Sequence, residues 1–224
     1  MKLPFADRVQ AGRLLGERLA RMHLAPPRVV LALPRGGVPV AAEVARALHA
    51  PLDLVLVRKI GAPWQPELAL AAVVEGDPPQ IVVDEEVQRS IGSDSGYIQR
   101  QAQLELQEIA RRRQAYLRGR APVPLAGCSV VVVDDGIATG TTMRAALKAL
   151  ARRGAAQLVL AVPVAPQDTL QRLRTEVDQV VCLATPFPFR AVGEHYLRFP
   201  QLEDDEVVAA LDAAAGPDAA GLRR

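Results

Sequence analysis

Residues 130–142 read VVVVDDGIATGTT: four valines are followed by two aspartates, a turn of small residues and two threonines. Four consecutive valines without polar alternation predict a strand that is buried on both faces, as in a parallel sheet. The next residues, 143–154, read MRAALKALARRG and have the apolar spacing of a helix. Because ligands of open α/β sheets bind where the strands end, we expect Asp134 and Asp135 at a ligand site.

Short apolar runs alternate with helical patterns on both sides of this stretch. Strands are predicted at 29–33, 52–57, 130–133, 158–162 and 179–183. Alternation of strands and helices implies an α/β fold with a mainly parallel central β-sheet, flanked by helices and joined by right-handed crossovers. The 224 residues fit a single domain of this kind, 1–224.

The alternation is interrupted by an inserted helical segment, 85–120. A long helical pattern there places one apolar stripe on Ile98, Ala102, Leu106, Ile109 and Tyr116. We expect this segment either to pack on the core or to lie over the site as a lid. Two more helices are predicted, one capped by Asp7 and one near the end of the sequence that stops at Gly216.

Charge and hydropathy limit the classes of function. The 27 basic and 25 acidic residues leave a net charge of +2, which is too small to require nucleic acid as a partner. No apolar stretch approaches the roughly 18 residues that a membrane span needs. The first residues, MKLPFADRVQ, lack the apolar core of a signal peptide, so a cytoplasmic protein is expected.

The loop after the two aspartates has the chemistry of a phosphate site. Backbone N–H groups, hydroxyls and the positive end of a helix dipole meet there, on residues Ala138, Thr139, Gly140, Thr141 and Thr142. The carboxylates of Asp134 and Asp135 suit hydroxyl groups or a hydrated Mg²⁺ ion. A ribose phosphate would satisfy all of these groups at once.

The segment resembles the phosphoribosyl pyrophosphate (PRPP) signature of the type I phosphoribosyltransferases. The resemblance implies that Asp134 and Asp135 hold the ribose 2′- and 3′-hydroxyls, directly or through water bound to Mg²⁺, and that 138–142 hold the 5′-phosphate. Members that act on 6-oxopurines generally carry an aspartate base where this chain has Ala138, so hypoxanthine and guanine are disfavoured. Gly136 is smaller than the apolar residue often found at its place, which predicts a looser loop.

A second loop, LPRGG at residues 33–37, is similar to the pyrophosphate loop of the family. Gly36 and Gly37 allow unusual backbone conformations, and the Arg35 guanidinium can pair with phosphate oxygens. Relatives often have a non-proline cis peptide bond here, and we expect it between Arg35 and Gly36. An ordinary glycine turn is the alternative interpretation.

Two basic residues, Arg58 and Lys59, are expected at the end of the strand predicted at 52–57. The resemblance implies that they lie near pyrophosphate and that a flexible loop, 60–75, follows them and closes over the reaction. That loop contains Trp64, the only tryptophan of the chain. A solvated strand end is the alternative for the two basic residues.

The acceptor side of the site is predicted at 186–207. Family members that use purines stack the base on an aromatic residue after the last core strand, and Phe187, Phe189 and Tyr196 are the candidates here. Hydrophobic packing explains the same residues equally well. His195 has no partner that the sequence reveals.

Together with these residues, the resemblance implies a Mg²⁺-dependent phosphoribosyltransferase of nucleotide salvage. It would transfer the 5-phosphoribosyl group from PRPP to an acceptor, which we expect to be a nucleobase, and release pyrophosphate. Asp134, Asp135, Arg35 and Lys59 are the predicted catalytic residues, and the resemblance implies a homodimer. The alternative is a PRPP-binding regulator that binds nucleic acid through the arginine-rich residues 111–120, although the balanced charge disfavours nucleic acid.

Overall fold

The computed structural model describes residues 3–91 and 95–215. The strands are β1 (Arg28–Ala32), β2 (Leu52–Leu54), β3 (Val57–Ala62), β4 (Gln65–Val74), β5 (Gln80–Val83), β6 (Ser129–Val133), β7 (Gln157–Val164) and β8 (Gln179–Ala184). The α-helices are α1 (Arg8–Ala20), α2 (Gly37–Leu48), α3 (Glu85–Ile91), α4 (Ser95–Leu117), α5 (Thr141–Ala151), α6 (Gln167–Leu173) and α7 (Asp204–Ala215). Short 3₁₀ turns occupy Arg174–Glu176 and Val192–His195.

The central sheet has five parallel strands in the order β2-β1-β6-β7-β8, which confirms the predicted α/β architecture. Alternate valines of β6 explain why it is apolar throughout. Val131 and Val133 pack on one face of the sheet with residues of α2, whereas Val130 and Val132 pack on the other face with residues of α5. Because β1 and β6 are neighbours and parallel, the loops that follow them emerge side by side.

A smaller antiparallel sheet, in the order β3-β4-β5, corrects two predictions. The strand expected at 52–57 is divided, because Val55 still donates to the carbonyl of Ala32 in the central sheet while Leu56 donates to the side chain of Glu75. The flexible loop expected at 60–75 is instead a hairpin formed by β3 and β4. Its β4 strand is held on both sides, since it pairs with β3 and β5.

Helices α3 (Glu85–Ile91) and α4 (Ser95–Leu117) lie within the segment 85–120. Ile98, Ala102, Ile109 and Tyr116 are buried, and Leu106 packs against them. Helix α4 contacts α7, β3 and β4, so its apolar stripe serves to pack the helix against the rest of the chain.

The first helix is capped as the sequence predicts, because Asp7 Oδ1 accepts the N–H of Gln10 at 2.9 Å. Helix α7 is present, but Gly216 lies outside the described residues. Within 3–91 and 95–215, no helix is both long and apolar enough to cross a membrane.

Candidate active site

The two loops that the sequence singled out are in direct contact at the carboxyl ends of β1 and β6. The Leu33 N–H donates to the carbonyl of Val133 at 2.9 Å. A Cβ atom added to Gly36 would overlap Asp135 Oδ2, and one on Gly37 would lie 2.8 Å from the Val133 carbonyl oxygen. Glycine is therefore required at both positions by the close approach of the two loops.

The glycine loop contains a non-proline cis peptide bond, as expected. The bond lies between Pro34 and Arg35, so the predicted position between Arg35 and Gly36 is wrong. Gly36 already has helical backbone angles, φ −57° and ψ −36°, as the residue that precedes α2.

The two aspartates are close neighbours with different surroundings. Asp135 is buried, and its Oδ2 accepts a hydrogen bond from Arg8 Nε at 2.8 Å. Asp134 is half-buried, and its Oδ1 accepts the backbone N–H of Asp135 at 2.8 Å. The Arg8 guanidinium thus forms its ion pair with Asp135, the buried one of the two carboxylates.

Burial raises the pKa of both carboxyl groups. For Asp134 the second cause is the negative charge of Asp135, whereas Arg8 opposes the increase in the pKa of Asp135. Burial removes the water that would otherwise stabilise the charged carboxylates. A cation or hydroxyl donors bound at this position would stabilise the charged form in its place. Among residues 3–91 and 95–215, no cluster of three or more potential metal-ligating side chains exists, so a cation here would take its remaining ligands from water or substrate.

The predicted phosphate loop is open to solvent. Ala138, Thr139 and Thr141 are exposed, and the two threonine hydroxyl oxygens lie 3.5 Å apart. Gly140 precedes α5 with a φ of +80°, and a Cβ there would lie 2.9 Å from the Thr169 methyl group. Glycine is therefore required at position 140 by the left-handed backbone and by the close approach of Thr169, while Thr139 and Thr141 remain exposed beside the N-terminus of α5.

The loop around Gly136 is tightly packed, so the prediction of a looser loop is wrong. A Cβ atom on this residue would lie 2.5 Å from Val192 Cγ1 and 3.0 Å from Val164 Cγ1. The small residue allows tight packing, because the loop lies directly against β7 and the turn at 192–195. The Ile137 N–H also donates to the Val164 carbonyl at 3.0 Å.

The basic residues predicted around pyrophosphate occupy different positions. Arg35 is about one-third exposed, and its Nη1 lies 3.6 Å from Asp204 and 3.7 Å from Glu203. Arg58 and Lys59 belong to β3 rather than to the end of a central strand. Successive side chains of a strand point to opposite faces, so only one of these two can face a given cleft. Arg58 donates to Glu105 at 2.6 Å, and Lys59 is exposed.

A family profile described as the phosphoribosyl transferase domain matches residues 10–198 of this chain. The chain belongs to this family. The match includes β1, β6 and both loops described above, and it excludes Arg8.

Two comparisons with individual proteins agree with the family assignment. A Mycobacterium tuberculosis protein, found in two strains and provisionally named a phosphoribosyl transferase, is 49% identical over 214 residues. These residues are 96% of the present chain and 47% of the relative, so the chain spans about half the length of these curated relatives. The crystal structure of the protein TT1426 from Thermus thermophilus superimposes with a TM-score of 0.83 at 44% identity, covering 96% of this chain and 100% of that one.

The aromatic residues predicted on the acceptor side of this phosphoribosyl transferase domain differ in exposure. Phe187 is 99% exposed, whereas the Phe189 ring packs on His195 with centroids 4.9 Å apart. Tyr196 is buried between Phe5 and Phe199, and its hydroxyl donates to the backbone carbonyl of Asp135. Of the three candidates, Phe187 has the exposed ring, and Tyr196 supports the aspartate loop through its hydrogen bond to the Asp135 carbonyl.

His195 is buried, and its Nε2 has no hydrogen-bond partner among the described residues. Its ring is covered by Phe189 on the side of the molecule that also carries the Gly136–Val192 contact. His195 therefore packs against Phe189 inside the candidate acceptor segment, 186–207.

Sequence reasoning missed Arg8, which contacts Asp135 from α1. The available signal was its spacing, because Arg8 lies three, seven and eleven residues before the buried Ala11, Leu15 and Leu19. A cation on the buried stripe of an amphipathic helix requires a partner.

The arginine-rich residues 111–120 are engaged within the chain. All five arginines make ion pairs with carboxylates, and the pairs are Arg111 and Arg112 with Glu108, Arg113 with Asp53 and Glu75, and Arg118 and Arg120 with Asp212. Their charges are therefore largely neutralised by neighbouring groups.

Proposed function

We propose that this phosphoribosyl transferase domain transfers the 5-phosphoribosyl group from PRPP to a nitrogen acceptor and releases pyrophosphate, with Mg²⁺ as cofactor. One observation carries the proposal: the glycine loop at 33–37 touches the same carboxylate pair that leads into the open loop at 138–142. PRPP needs these three groups next to one another, since its pyrophosphate, ribose hydroxyls and 5′-phosphate are linked in one small molecule.

The 5′-phosphate is assigned to Ala138, Thr139, Gly140, Thr141 and Thr142. Backbone N–H groups at the start of α5 and the exposed threonine hydroxyls would donate to its oxygens. Anchoring this end of the molecule fixes the position of the ribose C1 atom, which is the main advantage that a binding site gives to a transfer reaction.

The ribose hydroxyls and the cation are assigned to Asp134 and Asp135. Two oxygen-donor side chains, with no third protein ligand nearby in the described residues, fit a hydrated Mg²⁺ ion that keeps several of its waters. When bound with PRPP, the ion would neutralise negative charge on the departing pyrophosphate. Asp134 and Asp135 would orient the ribose and hold the cation in place.

Pyrophosphate is assigned to Arg35, Gly36 and Gly37, with Arg58 or Lys59 approaching from β3. The present contacts of Arg35 with Glu203 and Asp204 are long and partly exposed, so they are weak and a phosphate group can displace them. In the transfer step the C1–O bond to pyrophosphate breaks and its electron pair leaves with pyrophosphate. The acceptor nitrogen bonds to C1, and its proton passes to a pyrophosphate oxygen.

The acceptor is assigned to the side of residues 186–207, where Phe187 offers an exposed ring. Ala138 supplies no carboxylate that could act as a base, so adenine or uracil is favoured over hypoxanthine and guanine. A homodimer, a cytoplasmic location and a role in nucleotide salvage remain part of this proposal. The alternative of a nucleic-acid-binding regulator loses support, because the arginines at 111–120 are paired with carboxylates.

The proposal is tested by measuring pyrophosphate release from PRPP and Mg²⁺ with adenine, uracil, hypoxanthine, guanine, xanthine and orotate in turn. We expect release that depends on one class of base and that is abolished in the Asp134→Asn/Asp135→Asn variant. The Arg13→Ala variant, altered at an exposed position of α1, is the matched control and should retain activity. Absence of release with every base, together with absence of PRPP binding, would refute the proposal.

A further inference from the structure

Arg8 is a buried cation whose guanidinium is held on several sides. Its Nε donates to Asp135 Oδ2 at 2.8 Å, and its Nη1 donates to the backbone carbonyl of Pro200 at 2.8 Å. The guanidinium carbon lies over the Phe199 ring, 3.8 Å from its centroid. Two directed hydrogen bonds and a neighbouring ring leave this side chain little rotational freedom, which is the situation in which arginine differs most from lysine.

The contacts of Arg8 give the two aspartates different surroundings and different exposure. Asp135 Oδ2 lies between Arg8 and the backbone of Gly36, because a Cβ at Gly36 would overlap that oxygen. Asp135 is thus confined between α1 and the glycine loop and is 8% exposed. Asp134 is the more accessible of the pair, with Oδ1 fixed by the Asp135 N–H.

The same contacts join three segments that are distant in the sequence. Arg8 belongs to α1, Asp135 follows β6, and Phe199 and Pro200 lie in the segment assigned to the acceptor side. Tyr196 adds a second link, since its hydroxyl donates to the Asp135 carbonyl. A shift of the Arg8 side chain would therefore displace both the carboxylate pair and the 196–200 segment.

We propose that Arg8 is a positioning residue of the PRPP site, which holds Asp135 against the glycine loop and leaves Asp134 to face the ribose and its cation. This inference rests on the proposed function and adds to it a residue that lies outside the matched family region. Arg8 also forms an ion pair with Asp135, the buried member of the pair, and makes no such contact with Asp134. Arg8 itself touches no substrate; it acts through Asp135.

The first test compares binding of two probes by calorimetry. PRPP with Mg²⁺ engages the carboxylate pair, whereas inorganic phosphate engages only an anion loop. We expect Arg8→Met to weaken PRPP binding by about 10- to 100-fold, as is typical when a residue that orients a ligating group is lost, and to leave phosphate binding unchanged. Arg8→Lys, which keeps the charge but not the planar fork, should recover part of the loss. Arg13→Met on the exposed side of α1 is the control.

A second test does not require the Arg8 variants to fold. Asp134→Asn and Asp135→Asn are compared for PRPP binding, and the proposal predicts the larger loss for Asp134→Asn because Asp134 is the group that faces the ligand. Where turnover is measurable, Arg8→Met should raise the KM for PRPP more than it lowers kcat.

The outcomes distinguish failure of the Arg8 role from failure of the proposed function. If the wild-type protein binds PRPP and Arg8→Met binds it equally well, or loses PRPP and phosphate binding to the same extent, the positioning role is overturned and the proposed function stands. A larger effect of Asp135→Asn than of Asp134→Asn also overturns it. If the wild-type protein binds no PRPP, the proposed function fails, and the role given to Arg8 fails with it.

Discussion

Replacing Arg113 with alanine should destabilise the protein strongly, because this arginine links α4 to both sheets. Its Nη1 donates to Glu75 at 2.8 Å, and its Nη2 lies 3.3 Å from both carboxylate oxygens of Asp53. Asp53 belongs to β2 of the central sheet, and Glu75 follows β4 of the small sheet. The Arg113→Ala variant would leave both carboxylates buried without their cation.

The magnitude follows from the exposure of the three side chains. Asp53 and Glu75 are 7% and 10% exposed, and Arg113 is 21% exposed. Breaking a buried ion pair from one side costs about 3–5 kcal/mol, and the partial exposure of Arg113 favours the lower end, about 3 kcal/mol. For a chain of this size, about 2–4 °C of Tm accompanies each kcal/mol, so Tm should fall by about 6–12 °C.

The loss should depend on pH, because burial raises the pKa of Glu75 and Arg113 opposes that increase. Without Arg113, the pKa of Glu75 in the folded state rises further above its unfolded value. A folded state that binds the proton more tightly gains stability as the pH falls toward the unfolded pKa. The variant should therefore recover part of its deficit at about pH 5.5 relative to about pH 8.

The assay is thermal and urea unfolding followed by circular dichroism at both pH values. Arg111→Ala is the matched control, since Arg111 lies two residues earlier on α4 and its pair with Glu108 leaves the arginine side chain 62% exposed. We expect no measurable change in the control. Equal Tm values for the Arg113→Ala and Arg111→Ala variants, or a deficit that grows on acidification, would refute this reasoning.

Three further predictions follow from the site. Gly36→Ala should fold but lose PRPP binding measured by calorimetry, because its methyl group would displace the Asp135 carboxylate; unchanged affinity would show that the two loops are not in contact. Gly136→Ala should lower the free energy of unfolding in urea by about 1–3 kcal/mol, since its Cβ would lie 2.5 Å from Val192; a neutral result would support the looser loop first expected. Trp64, the only tryptophan and 94% exposed at the tip of the β3–β4 hairpin, should change its fluorescence when PRPP and Mg²⁺ bind if the hairpin closes over the site, and an unchanged spectrum would argue against closure.

The central sheet could be predicted because its strands are encoded locally. The four valines of β6 read as a strand buried on both faces, and each face is indeed packed, with Val131 and Val133 on one side and Val130 and Val132 on the other. The capping role of Asp7 and the stripe on α4 are equally local signals. Such patterns depend only on spacing along the chain.

The small sheet could not be predicted in the same way. Its residues at 60–75 are rich in alanine and interrupted by Pro63 and Pro66, which favour a loop, and β4 is stabilised by pairing with strands on both sides. Tertiary context therefore outweighs local propensity there. This is also why Arg58 and Lys59 were expected at the end of a central strand and lie instead within β3.

The candidate site was likewise predictable only in part. The two loops carry recognisable residues, and the parallel pairing of β1 with β6 is sufficient to bring them together. The contacts of Arg8 with Asp135 and Tyr196 with the Asp135 carbonyl join positions 127 and 61 residues apart. Nothing in the spacing of these residues specifies such pairs, so they emerge only from the packed structure.

The most direct test of the account is calorimetric titration of the wild-type protein with PRPP, with and without Mg²⁺, beside the Asp134→Asn/Asp135→Asn variant. We predict binding that is strengthened by Mg²⁺ in the wild-type protein and lost in the variant, whose fold is checked by circular dichroism. Binding of PRPP that survives in the variant, or no binding by the wild-type protein, would contradict the claim that these two loops form one PRPP site.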